Sequence, residues 1–176
     1  MIPFFPRPKK KMIYPSAKAP FWFIFLFPLL LANLEAATPL SGPPSMYVTD
    51  YAGVLKANTA SRLSGQLADF DHRTGNELII AIYPNLPKGI SIGDYARQLY
   101  GAWKIGKRGK DTGALLLIAV QDHQGRIHAG RGLEKKLTED VCKKIFTETI
   151  APRLDAGDFD GACKAAAAAL IAAVSR

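Results

Sequence analysis

Cysteine and histidine are scarce, with 2 and 3 residues in a chain of 176. Neither cysteine, Cys142 or Cys163, has a histidine or a third cysteine at metal-ligand spacing, which excludes a zinc finger or a cysteine-rich scaffold. Cys142 opens no Cys-x5-Arg motif, so thiol-phosphatase chemistry is excluded as well. A Walker phosphate loop is also missing: Gly109-Lys110 would need a glycine five residues before Gly109, where Lys104 stands. Long apolar runs are few, and the mean hydropathy of +0.03 excludes a polytopic membrane protein. Basic residues are not interleaved with aromatics in any run, and the net charge of +8 is unevenly placed. Residues 1–37 hold five basic residues and one acid, which leaves 18 basic and 14 acidic residues in 38–176, a net +4. A surplus that small gives no nucleic-acid footprint.

What is present begins with the segment 21–32, FWFIFLFPLLLA, twelve apolar residues broken only by Pro28. A membrane-spanning helix needs about 20 such residues, whereas the core of a signal peptide needs about 7–15. Arg7, Lys9, Lys10, Lys11 and Lys18 precede it, and the small residues Ala36 and Ala37 follow it. Residues 1–37 therefore read as a signal peptide, cleaved best after Ala36, with Met1 or Met12 as the start. The alternative is an uncleaved segment, which would be the one route to a membrane. Both place the remainder in a periplasmic or secreted setting. There Cys142 and Cys163 form a candidate disulfide, the alternative being two buried thiols.

Residues 38–45 contain Pro39, Pro43 and Pro44 and read as a linker into a domain spanning 46–176. Met46–Thr49 reads as a short strand. Leu63, Leu67 and Phe70 recur at helical spacing in a helix expected from Thr59, its cap, to Arg73, with Gly75 as the stop. Glu77–Tyr83 and Ala114–Val120 are short, β-rich apolar runs and read as buried strands. Between them Ser91 opens a helix, with Asp94 placed for a capping box and a stripe of Ile92, Tyr95, Ala96, Leu99, Tyr100 and Trp103. The strand–helix–strand run predicts a right-handed βαβ unit. Residues 122–125 read as a hairpin turn into an antiparallel strand, 126–129. Two helices, capped by Thr138 and Asp158 and separated at Pro152 and Gly157, close the chain. The fold class expected is α/β, a three-layer α/β/α sandwich with a small mixed sheet, preceded by the signal peptide.

The order of short motifs carries a resemblance. They are Asp50-x-Ala-x-x-Leu55, Thr74-Gly75-x-Glu77, Trp103-x-Ile-Gly106, Asp111-x-Gly113-x-Leu-Leu, Arg126-Ile127-x-x-Gly130-x-Gly132-Leu133-Glu134, Ile150-x-Pro152 and Gly157-Asp158-Phe159. Together they resemble the TPM domain family over roughly 46–174. The resemblance implies the same α/β/α sandwich. It also implies divided functions: acid phosphatase in a plant thylakoid-lumen member, binding of Ca²⁺ or another divalent metal in some bacterial members, and a non-catalytic receptor-associated role in an animal member. Many bacterial members carry a transmembrane helix and a glycine-rich tail after the domain. The sequence ends at Arg176 without either, so a soluble product is expected.

Asp50, Asp111 and Glu134 fall on the family's motif positions. Gathered at one rim of the sheet, they would form a candidate catalytic and metal site, because a hard cation relieves the repulsion of clustered carboxylates. Lys107, Arg108 and Lys110, in a glycine-bounded loop, are candidate phosphate-binding residues. Asp122 and Asp140 are outer candidates, and each also reads as a turn or helix-dipole residue. Arg131, between two glycines, reads equally as a functional arginine and as a turn residue. The expected ligand is a small phosphorylated substrate handled with a divalent cation. The alternative is an envelope partner protein bound without chemistry, with calcium in a structural role.

Overall fold

A computed structural model describes residues 46–176, so the expected signal peptide and linker lie outside the described residues. The chain runs β1 (Val48–Asp50), α1 (Ala57–Thr74), β2 (Glu77–Tyr83), α2 (Ile92–Trp103), β3 (Gly113–Ala119) and β4 (Gln124–Ala129). It continues through α3 (Glu139–Lys144), a π-helical segment (Ile145–Ile150), α4 (Ala151–Asp155) and α5 (Phe159–Ser175).

The sheet order is β1-β2-β3-β4. β1, β2 and β3 are parallel, with Asp50 opposite Ile82 and Glu77 opposite Gly113, and β4 returns antiparallel to β3. Successive residues of a strand point to opposite faces. In β2, Leu78, Ile80 and Ile82 therefore join α1 and α5 in one core, while Ile79, Ala81 and Tyr83 join α2 in the other. This is the expected α/β/α sandwich, with β2 and β3 buried on both faces.

The two crossovers differ in hand. Each steps the same way across the sheet, from β1 to β2 and from β2 to β3, yet α1 and α2 pack on opposite faces. One βαβ unit must therefore be left-handed, against the right hand taken by about 98% of such connections. Local bonds tie the β1–α1–β2 unit down. The Val48 N–H donates to Ser64 Oγ of α1 (2.9 Å), and the Lys56 N–H donates to Asp160 Oδ1 of α5 (3.2 Å).

Several boundaries shift from the sequence expectation. α1 begins at Ala57 and is capped by Lys56 without a side-chain bond, because Thr59 is buried inside the helix. Gly75 stops α1 as expected, with φ 71° and its N–H on Asp71 O. The hairpin turn lies earlier than residues 122–125: His123 takes φ 51° and β4 already starts at Gln124. Thr138 and Asp158 cap α3 and α5 as expected, accepting from Val141 N (3.3 Å) and Gly161 N (2.8 Å). The first of the two closing helices, however, runs through Pro152. Proline lacks the N–H for an ordinary helical bond, and the chain meets it after a π-helical turn, at the start of α4.

Cys142 and Cys163 are both buried free thiols, which corrects the candidate disulfide. Both lie in the core shared with α1 and α5. Cys142 donates to Leu137 O and lies near Glu139 and Arg126, whereas Cys163 lies near Asp50 and Asp160. Burial pushes their pKa values up to about 11 and about 12, so both stay protonated and unreactive at neutral pH.

Candidate functional site

The three acids of the expected site are not brought together. Asp50 ends β1 opposite Ile82, near the C-terminal end of β2. Asp111 precedes β3, whose first residue, Gly113, lies opposite Glu77 at the other end of β2. Five strand residues separate those levels, about 16 Å at the usual rise. The Asp50 carboxylate is also fully engaged: Oδ1 accepts from Ala52 N (3.1 Å) and Gly53 N (2.8 Å), and Oδ2 accepts from Leu55 N (2.7 Å). Asp50 thus holds the turn from β1 into α1, which explains its spacing to Ala52 and Leu55. Asp111 and Glu134 both flank the end of the sheet where β3 begins: Glu134 follows the turn after Ala129, whose Gly130 N donates to Gly113 O and whose Gly132 N donates to Asp111 O.

The loop from α2 to β3 builds a cleft at that end. α2 stops at Lys104, which takes φ 54° and sends its N–H back to Gly101 O (3.2 Å). Buried Ile105 anchors the next step. Gly106, at φ 92°, donates its N–H to Glu77 Oε2 (2.5 Å), and a Cβ there would meet the backbone of Thr112 and Gly113. Burial raises the Glu77 pKa, and the Gly106 N–H opposes that rise. Lys107 O then accepts from both Lys110 N and Asp111 N (2.9 Å each), which closes the basic loop into a turn. Lys107, Arg108 and Lys110 are all exposed on it.

The turn after β4 packs against this loop. Gly132 N donates to Asp111 O (3.0 Å), and Gly130 N donates to Gly113 O (2.8 Å). A Cβ at Gly130 would collide with Tyr100 Oη and Asp111 O, and one at Gly132 would collide with Lys110 O. Only glycine permits so close an approach. It sets Arg131 beside Asp111, with Nε 3.3 Å from Oδ2. Asp111 itself sits at φ 55°, an uncommon conformation for a residue with a side chain. Its Oδ1 accepts from Tyr100 Oη (3.2 Å), and the Tyr100 ring stands edge-on to His128 (centroids 4.8 Å apart). Burial raises the Tyr100 pKa and Asp111 adds to the rise, so Tyr100 remains a proton donor to Asp111. Burial lowers the His128 pKa, reinforced by Arg97 and Arg126.

The resulting cleft, of about 630 Å³, is walled by Tyr100 and Ile105 and bordered by Lys104, Lys107, Arg108, Asp111 and Arg131. Arg131 is paired with Asp111, while Lys104, Lys107 and Arg108 have no ion-pair partner among the described residues. Of the candidate phosphate-binding residues, Lys107 and Arg108 line this cleft and Lys110 lies on the same turn. Lys104 and Tyr100 carry no site signal in the sequence: Lys104 follows the stripe that ends at Trp103, and Tyr100 reads as part of that stripe. Asp122 accepts from Leu86 N (2.6 Å) and Asp140 lies in the first turn of α3, so both have local roles.

The expected cation set does not fit these positions. Asp50 is at the far end of the sheet, and a guanidinium already occupies one face of the Asp111 carboxylate. Among the described residues no group of three or more His, Cys, Asp or Glu side chains could hold a metal ion. No helix of the described residues is long and apolar enough to cross a membrane.

Comparison with known proteins supplies the family. The solved N-terminal domain of a P. gingivalis protein is 21% identical, with a TM-score of 0.66 over 74% of this chain and 82% of that one. The N-terminal domain of a Corynebacterium glutamicum protein is 16% identical, with a TM-score of 0.57 over 73% of this chain and 79% of that one. A protein from the psychrophilic bacterium Bizionia argentinensis is 17% identical, with a TM-score of 0.59 over 69% and 81%. At these identities the likeness shows the fold. A search of curated proteins finds no match. A family model of the TPM domain matches residues 48–173, nearly all of the described chain, and the protein belongs to the TPM domain family.

Proposed function

We propose that this is an exported TPM-domain protein whose cleft between the α2–β3 loop and the 130–132 turn binds a phosphate-bearing anion. One observation carries the reading: Lys104, Lys107 and Arg108 line a cleft in which Asp111, the one carboxylate, is already matched by Arg131, the Lys107 side chain running over Gly75 at its edge. A surplus of cations beside exposed glycine backbone attracts a dianion. Export rests on the basic, then apolar, then small-residue order of residues 1–37. Intact Met1 or Met12 at the N-terminus of the mature protein would remove the cleavage part of this reading.

Within that cleft the enzymatic reading is an acid phosphatase acting on phosphomonoesters, with Asp111 the one carboxylate that lines the cleft. A second reading, a non-catalytic envelope module that recognises a phosphorylated partner, is favoured by a specific feature. Both oxygens of Asp111 already accept bonds, from Tyr100 and from Arg131. Calorimetric titration with inorganic phosphate, beside a p-nitrophenyl phosphate assay at acid pH with and without added calcium or magnesium, separates the two. Binding with turnover supports the phosphatase, and binding without turnover supports the module. Absence of phosphate binding overturns the cleft reading itself.

A further inference from the structure

We propose that Arg131 is the principal anion-contacting residue of the cleft and that Asp111 is its positioning residue rather than a catalytic carboxylate. The inference rests on the cleft reading above and assigns its parts. Arg131 is attached at a fixed point, because Gly130 and Gly132 press the turn onto Tyr100, Lys110 and Asp111 too closely for any side chain. Its guanidinium uses Nε on Asp111 Oδ2, and no other bond of Arg131 occurs among the described residues. With the side chain 86% exposed at the border of the cleft, Nη1 and Nη2 keep their donors for a ligand. Two parallel N–H donors in a plane match two oxygens of a phosphate, which one ammonium of lysine cannot reproduce.

Asp111 has the features of a support. Tyr100 Oη fixes its other oxygen, the loop bond from Gly132 fixes its carbonyl, and its backbone is held at φ 55°. A carboxylate facing an incoming dianion would repel it. A carboxylate held under a guanidinium removes one rotational freedom of that guanidinium and leaves the opposite edge for the ligand.

The test is a double-mutant cycle on phosphate affinity, read by calorimetry with inorganic phosphate on the purified protein. Arg131→Ala is expected to weaken binding more than tenfold, Arg131→Lys nearly as much, and added guanidinium is expected to restore part of the loss in Arg131→Ala only. Asp111→Asn is expected to weaken binding about threefold to tenfold in the presence of Arg131 and to have no effect in the Arg131→Ala background. Unchanged melting temperatures for Arg131→Lys and Asp111→Asn keep these readings free of folding defects. Equal affinity of wild type and Arg131→Ala overturns the inference while leaving the cleft reading intact. Effects of the two substitutions that simply add, or Asp111→Asn that abolishes phosphomonoester turnover at unchanged phosphate affinity, overturn the positioning role. Failure of the wild type to bind phosphate removes the cleft reading and the inference with it.

Discussion

The two ends of the sheet carry aspartates of opposite use. At the C-terminal end of β1, Asp50 spends both oxygens on three backbone N–H groups of its own turn. That end is where open α/β sheets usually hold ligands, at the point where neighbouring connections leave for opposite faces. Here β1 and β2 do send α1 and α2 to opposite faces, yet the acid placed at that point is consumed by structure. At the other end, Asp111 also has both oxygens engaged, but by side chains that line a cleft, and three cations beside it have no ion-pair partner among the described residues. The difference teaches that an acid on a family motif position is not thereby a site residue. What marks a site is charge left unmatched around a concavity.

That contrast can be broken by substitution, and the largest effect belongs to the structural end. Asp50→Ala should lower stability by about 2–4 kcal/mol, since three N–H groups lose a charged acceptor. Phosphate affinity of the folded fraction should stay unchanged. Thermal melting beside calorimetry reads both, and a marginal change in stability would show that Asp50 is not the anchor described. Next comes Gly130→Ala, whose methyl group would collide with Tyr100 Oη and the Asp111 carbonyl. A loss of about 1–3 kcal/mol is expected from overpacking. Phosphate affinity should fall with it, unlike the result for Asp50→Ala.

Charge removal on the cleft rim should do the reverse. Lys107→Gln together with Arg108→Gln should weaken phosphate binding severalfold and steepen no other property, with stability within about 0.5 kcal/mol of wild type, as for exposed positions in general. Raising the salt concentration should shrink the difference. A stability loss comparable to Gly130→Ala would mean that the loop is structural and not a binding rim.

The smallest effect is a pH dependence at His128. Its folded pKa lies below the ordinary 6.5, so the folded state binds fewer protons than the unfolded one in that range. The contribution of His128 is therefore present above pH 6.5 and is lost as the pH falls through the lowered folded value. Arg97 and Arg126 reinforce the lowering, while Asp111 and Glu134 oppose it. Melting curves from pH 7.5 downward should separate wild type from His128→Gln, which lacks this loss. Identical curves would contradict the assignment. Reductant, by contrast, should leave the melting temperature unchanged, because Cys142 and Cys163 are not bonded to each other.

Much of this architecture is legible in the sequence for a physical reason. Glu77–Tyr83 and Gly113–Ala119 are buried on both faces, so their apolar runs are continuous, and α2 has one buried face, so its stripe is plain. The start of α1 is not legible. Thr59 has the residue type of a cap, but its burial places it inside the helix, behind a lysine that caps without its side chain. The π-helical turn before Pro152 leaves no residue pattern at all. The basic loop is legible as charge, and the cleft is not, because it needs Tyr100 and the 130–132 turn to arrive from other elements. The expected meeting of Asp50 with Asp111 failed on strand direction. Parallel strands put the end of β1 and the start of β3 at opposite edges, and no spacing along the chain records that.

The central claim is that the anion site lies at the start of β3. Backbone amide mapping by NMR during titration with inorganic phosphate tests it most directly. Binding in the cleft should perturb amides in residues 101–112 and 130–132 and leave residues 50–56 unmoved. Perturbation centred on residues 50–56, with the α2–β3 loop silent, would contradict it.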